Sequence, residues 1–326
     1  MMYTIAMNIG KPLIILSKIV MLLVVFVFVL LLIVLIGLNL FKFAFYNDYF
    51  ACLSKEGKIP GLSEGFVPQG ITFFDNMFAS CGYMTSDDNS RVYVIDLEKD
   101  EIKYFPLISN GKGFKGYTGG IQYLNGYMYL ANEGNSLYKF TAASLYQKSG
   151  TNIEIGNPIT VNNNSSFVYG KGSSLYVGEF FKQGDYDCKN LVTYNGETHN
   201  AIVSEYDISD LTKPIRVYSI PDLVQGFCVK DNGSIVLSTS SGVNSSYFYE
   251  YDSSKIVNTG KTYDEAELFF LTEPSKTIKA PAMSEDLDIV KVSGKERIIT
   301  LFESASNKYI YGKFFFANYI AGFEFE

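Results

Sequence analysis

A repeat runs through the chain after residue 65, and it constrains the fold more than any single motif does. Each copy opens on a small or polar residue followed by Gly, or on an acidic equivalent, and leads directly into a short apolar run. The openings are Pro68-Gln69-Gly70-Ile71, Thr118-Gly119-Gly120-Ile121, Val168-Tyr169-Gly170, Val224-Gln225-Gly226-Phe227 and Ser284-Glu285-Asp286-Leu287. Positions 70, 120, 170, 226 and 286 are spaced by 50, 50, 56 and 60 residues. A second apolar run follows each opening, at 77–80, 127–131, 175–178, 235–238 and 298–302. Third runs follow at 92–96, 137–140, 203–207 and 247–251, with a degenerate fifth at Lys308-Tyr309-Ile310. Fourth runs stand at 102–105 and 215–218. Three to four short strands per copy at this period is the pattern of a propeller blade. A stacked solenoid needs a tighter period, and a sandwich needs no repeat. The expected fold is therefore all-β: a β-propeller of five blades, or of six if Tyr46–Phe66 and Phe314–Phe323 combine into another.

Ahead of the repeat, Ile19–Phe41 is an apolar run interrupted only by Gly37 and Asn39. At ~1.5 Å per residue it is long enough for a hydrocarbon core of ~30 Å. Signal peptides have shorter apolar regions and a small-residue cleavage site, and Leu38-Asn39-Leu40 supplies no such site. The run reads as an uncleaved signal anchor. Lys11 and Lys18 precede it and no acid comes before Asp48, which favours an N-terminus inside and a C-terminal domain outside. The resulting division is a cytoplasmic tail 1–18, a transmembrane helix 19–41, a linker 42–64 and a propeller 65–326. The expected location is the cell membrane, single-pass, with the propeller extracytoplasmic.

Lys11, Lys18 and Lys42 are the only charges before Tyr46, so the net charge of −7 becomes −10 from there onward. Nucleic acid is thereby excluded as a partner, since a phosphate backbone requires a basic surface. Of 326 residues, 26 are Phe and 25 Tyr, with no Trp, a composition suited to half-buried strands. Cys52, Cys81, Cys188 and Cys228 form no CxxC pair. They are either two disulfides of an exported domain or buried thiols.

Gln69-Gly70-Ile71, a strand, and then Ser90-Arg91-Val92-Tyr93-Val94-Ile95-Asp96 together resemble the six-bladed propeller group of regucalcin/gluconolactonase and strictosidine-synthase-like proteins. The resemblance covers most of residues 65–313 through short motifs. It implies a propeller fold and a calcium ion in the central channel, with Glu179 and Glu285 at the analogous metal positions. No complete ligand set is matched.

In a propeller the ends of the innermost strands converge. Gln69, Tyr169, Gln225 and Glu285 are expected at strand openings, with Asn132-Glu133, Glu179, Ser238-Thr239-Ser240 and Glu303-Ser304 closing the second strands around the same mouth. The ligand-binding set is Gln69, Glu133, Glu179, Gln225, Glu285 and Glu303. Such oxygens suit calcium or a polar or cationic ligand. Gln-Gly is also ordinary turn chemistry, and Glu179 is also readable as a solvated strand end. Alternation places Asp286 and Asp288 on one face and Glu285 on the other. His199, the one histidine, reads as a loop residue more readily than as a base. Two functions follow: a ligand-binding or interaction module, or a metal-assisted lactonase or ester hydrolase in which a cation activates water. The ligand is a small molecule or a protein. A glycosidase is disfavoured because no Trp offers a sugar platform.

Overall fold

The computed structural model describes residues 10–309 and 317–325, which divide into two compact units, 1–47 and 48–326. The first contains a helix, Gly10–Phe45. Its stretch Ile14–Phe45 is apolar and long enough to cross a membrane, with side chains such as Phe26 and Phe28 exposed. Residues 1–9 of the expected tail lie outside the described residues.

The second unit is a five-bladed β-propeller. Most inner hairpins arise locally. Phe74 pairs with Met77, Leu124 with Tyr127, Lys171 with Ser174 and Val292 with Lys295, each across two residues. In three of these turns both residues take positive φ: Asp75-Asn76, Asn125-Gly126 and Ser293-Gly294. That backbone matches the right-handed twist of the strands, so the turn sets the register.

Each blade is then a meander. The inner strands are Phe66–Phe74, Gly120–Leu124, Phe167–Lys171, Val224–Val229 and Ser284–Val292, and the second strands are Met77–Met84, Tyr127–Asn132, Ser174–Gly178, Ile235–Thr239 and Lys295–Phe302. Both faces of a blade are covered by its neighbours, so both strand faces are apolar. Cys81, Val92 and Phe105 of blade 1 pack with Ile121, Met128 and Leu130 of blade 2. Ile71 and Phe78 of blade 1 pack with Ile299, Leu301 and Ile320 of blade 5. Aromatic rings fill the wider gaps. Tyr176 lies 5.2 Å from Phe227 between blades 3 and 4, and Phe248 lies 4.3 Å from Phe323 between blades 4 and 5.

Three sequence expectations change. Residues 42–64 are not a plain linker: they carry a helix, Asn47–Cys52, and a strand, Ser54–Lys58, that pairs antiparallel with Tyr319–Phe323. These two segments, the ones considered for a sixth blade, complete the fifth. The count is five, unlike the six-bladed group named above. The third strand of that blade is Tyr319–Phe323; Lys308 and Tyr309 are outside any strand, and Ile310 is outside the described residues. In blade 3 the register differs as well. Phe167 pairs with Gly178 as Gly120 does with Ala131, so Phe167, not Gly170, occupies the Gly120 position. Tyr169 is consequently mid-strand, buried, and donates to the Val229 carbonyl at 3.2 Å.

A hairpin within blade 4, Ile256–Tyr263 and Ala266–Leu271, lies parallel along the outer strand of blade 3, Arg216–Ile220. All four cysteines are free thiols, and Cys81 and Cys228 are buried in strands.

Candidate functional site

At the axis the inner strands approach until there is no room for side chains. A Cβ on Gly70 would lie 2.6 Å from the Ile121 nitrogen and 2.7 Å from the Gly120 Cα. One on Gly226 would lie 2.8 Å from both the Glu285 carbonyl and the Leu287 nitrogen. The recurrent glycine of the openings is thus a backbone-contact residue. In blade 5 the corresponding stretch is acidic. Asp286 Oδ2 accepts from the Ile121 amide at 3.2 Å, and Asp288 Oδ2 accepts from Thr72 Oγ1 at 2.8 Å and the Phe73 amide at 2.9 Å. These two carboxyls join blade 5 to blades 1 and 2. Burial pushes both above the usual carboxylate range, Asp288 to about 6, against the lowering effect of their donors.

Immediately before these contacts, three of the five inner strands carry a bulge: between Pro68 and Gly70, between Val224 and Gly226, and between Ser284 and Leu287. The residues at the bulges are Gln69, Gln225 and Glu285. A bulge frees one residue from the ladder and re-aims its side chain. All three line one cavity of about 500 Å³ at the end of the ring where inner strands begin and second strands finish. Glu133 and Glu303, following the second strands of blades 2 and 5, line it too. Glu285 and Asp286 therefore part company: one enters the cavity, the other the axis.

Glu303 Oε1 accepts from Tyr309 Oη at 2.9 Å and Tyr83 Oη at 3.1 Å, while Lys308 Nζ donates to Tyr83 Oη at 2.6 Å. Burial raises the Glu303 carboxyl, and the tyrosine donors and Lys308 oppose that rise. Glu285 is 3% exposed. Its carboxyl lies well above the usual range because of burial first, then the nearby Glu303 and Asp286 charges. Tyr117, Tyr186 and Phe180 add flat apolar surface to the wall.

Glu179 is placed elsewhere. Its carboxylate is buried and accepts from the Asn164 amide and Asn190 Nδ2 on one oxygen and from the Ile202 amide on the other, at 3.1, 2.6 and 3.1 Å. It does not line the cavity with the other five. A calcium ion held jointly by Glu179 and Glu285 does not fit this arrangement, because the Glu179 oxygens are committed to N–H donors. Among the described residues no three His, Cys, Asp or Glu side chains gather into a metal site. His199 stacks on Phe270 at 4.1 Å with Nδ1 3.1 Å from Ser219 Oγ, on the outer part of blade 3.

Sequence reasoning missed Tyr83, Tyr117, Tyr309 and Lys308. Tyr117 directly precedes the second opening, so proximity to the mouth was a usable signal. Lys308 and Tyr309 arrive on a loop with no period.

No protein-family model matches the chain, and no curated protein matches it in sequence. Its backbone is similar to solved structures. Myxococcus xanthus glutaminyl cyclase is 10% identical over 83% of this chain and 94% of that one, with a TM-score of 0.43. RS223-β-xylosidase is 8% identical over 83% and 95%, with a TM-score of 0.44. The WD40 β-propeller domain of Doa1 is 11% identical over 84% and 97%, with a TM-score of 0.39. At these identities and scores none bears on the chemistry of the cavity.

Proposed function

We propose that this chain is a membrane-anchored, extracytoplasmic propeller that binds a ligand in the polar, acidic funnel at the mouth of its ring. The observation carrying this reading is that bulges in three separate blades turn Gln69, Gln225 and Glu285 into one cavity with Glu303. Bulges interrupt ladder hydrogen bonding, and repeated use at one end of the ring is the expected mark of a recognition site. The anchor is supported by the apolar helix Ile14–Phe45, and the outward orientation by the cationic N-terminal flank.

Binding is favoured over calcium-assisted lactone or ester hydrolysis. That alternative needs a cation polarising the carbonyl, and its two candidate ligands, Glu179 and Glu285, do not share the cavity.

Thermal unfolding of the full chain in detergent, against a library of polar small molecules, tests the reading. A ligand at 100 times its Kd adds about 2.7 kcal/mol of stability, so at least one class should raise Tm by several degrees. The shift should be lost in Gln225→Ala. A library without stabilising members, or shifts indifferent to that substitution, would sink the proposal. Turnover of a lactone and ester panel would instead support the hydrolase.

A further inference from the structure

We infer that the group this cavity recognises is an organic cation bearing N–H donors, a primary ammonium or a guanidinium; the inference rests on the cavity being a binding site. Glu285 carries it. The side chain is 3% exposed, it lines the cavity, and no donor among the described residues reaches its carboxyl. Buried carboxyls ordinarily find donors, and those nearby do: Glu303 has two tyrosines, Asp286 and Asp288 have backbone amides, and Glu179 has three N–H groups. Glu285 alone of this group is left to whatever enters.

A second observation points the same way. Asn132, also on the cavity wall, has a buried Oδ1 with no donor. Ser165 Oγ, likewise unpartnered in a residue of the wall, can accept or donate, whereas these two acceptors call for N–H or O–H groups. Charge selects between them. Four acids, Glu133, Asp187, Glu285 and Glu303, line the cavity with one lysine, Lys182, which is paired with Asp185. An incoming carboxylate or phosphate would meet repulsion, and a neutral polyol would do nothing to favour the ionised form of Glu285 that burial disfavours. An ammonium favours that form, and charge-assisted hydrogen bonds are about twice as strong as neutral ones. A volume of about 500 Å³ exceeds what an inorganic ammonium needs, and the Tyr117, Tyr186 and Phe180 rings offer surface for an alkyl chain.

Isothermal titration of the full chain in detergent, with putrescine and agmatine as probes, tests this. Choline, which has no N–H, sorbitol, citrate and calcium chloride serve as comparisons. Both amines should bind, and choline should bind roughly tenfold more weakly, the cost of losing charged hydrogen bonds. Glu285→Gln should weaken putrescine by about tenfold or more by the same reasoning. Asn132→Ala, which leaves the acid in place, should weaken it by a smaller factor and stands in if Glu285→Gln does not fold. Binding should also release protons, read from titrations in buffers of different ionisation enthalpy. Choline equal to putrescine, or affinity unmoved by both substitutions, would overturn the inference. Binding of sorbitol, citrate or calcium in a Gln225-dependent manner, with no response to amines, would overturn it while leaving the binding funnel intact. Silence from every probe would count against both.

Discussion

Asp288 holds a proton more tightly in the propeller than in an unfolded chain, because the surrounding blades remove its water. Its folded value is about 6 against an ordinary 3.8. The native state then binds more protons than the unfolded state between about pH 4 and 6, so stability falls as pH rises through that window and levels off above it. Two units correspond to roughly 3 kcal/mol. Glu285, Glu303 and Asp286 shift in the same direction. Asp288→Asn should flatten the decline in urea-unfolding free energy between pH 4 and 6, whatever its effect on absolute stability; an unchanged slope would show that Asp288 does not carry the linkage. The candidate site was partly legible from single residues. Polar residues at strand openings pointed to Gln69, Gln225 and Glu285, and all three line one cavity. Glu179 carried an equally good signal, a carboxylate after a strong strand, yet Asn164, Asn190 and Ile202 surround it. Strand-end position is a local property; the donors that occupy the Glu179 carboxylate come from loops and from the neighbouring strand of its own blade, brought to it only by the fold.

Among elements, the inner strands bear the tightest tolerance. Gly70 meets the backbone of blade 2, which cannot give way as a flexible side chain does. Gly70→Ala should cost about 1–3 kcal/mol, in the range of an overpacked core. Gly57→Ala, in the closing strand, places its Cβ 3.8 Å from Ile320 Cδ1 and should stay within about 0.5 kcal/mol of wild type. Thermal unfolding of the two variants checks the contrast, and equal Tm values would contradict it. Inner and second strands were readable because each hairpin is short, apolar and bounded by turn residues. Outer strands were readable only in blades 1 and 3, at Glu101–Ser109 and Arg216–Ile220: Ile159–Thr160 has two residues, too few for any period, and Lys276–Ala280 is separated from its blade partner by an inserted hairpin.

For the whole molecule, closing the ring is the decisive step. Ser54–Lys58 joins Tyr319–Phe323, so the last blade contains both ends of the propeller unit. Arg297 fastens the joint, with Glu56 at 3.0 Å and Glu324 at 3.4 Å. An edge strand exposes unpaired backbone groups; this pairing covers Tyr319–Phe323 and leaves the five-residue Ser54–Lys58 as the outer edge. The proposed topology is checked at the same scale. A membrane-impermeant amine reagent applied to intact cells should label propeller lysines such as Lys148 and Lys213; labelling only after permeabilisation would reverse the orientation.

The amino-acid order alone determined an apolar helix, a mainly β remainder and the places of the inner and second strands of the five blades, though not the blade 3 register, because hydrophobic periodicity and short turns act between neighbours in the chain. Tertiary structure decided the rest: which end pairs with which, that Glu285 turns inward while Asp286 locks the axis, and that Glu179 is already satisfied. Those outcomes depend on segments meeting at hydrogen-bonding distance, from 11 residues apart at Glu179 to 268 at the ring closure, and no local pattern encodes the partner.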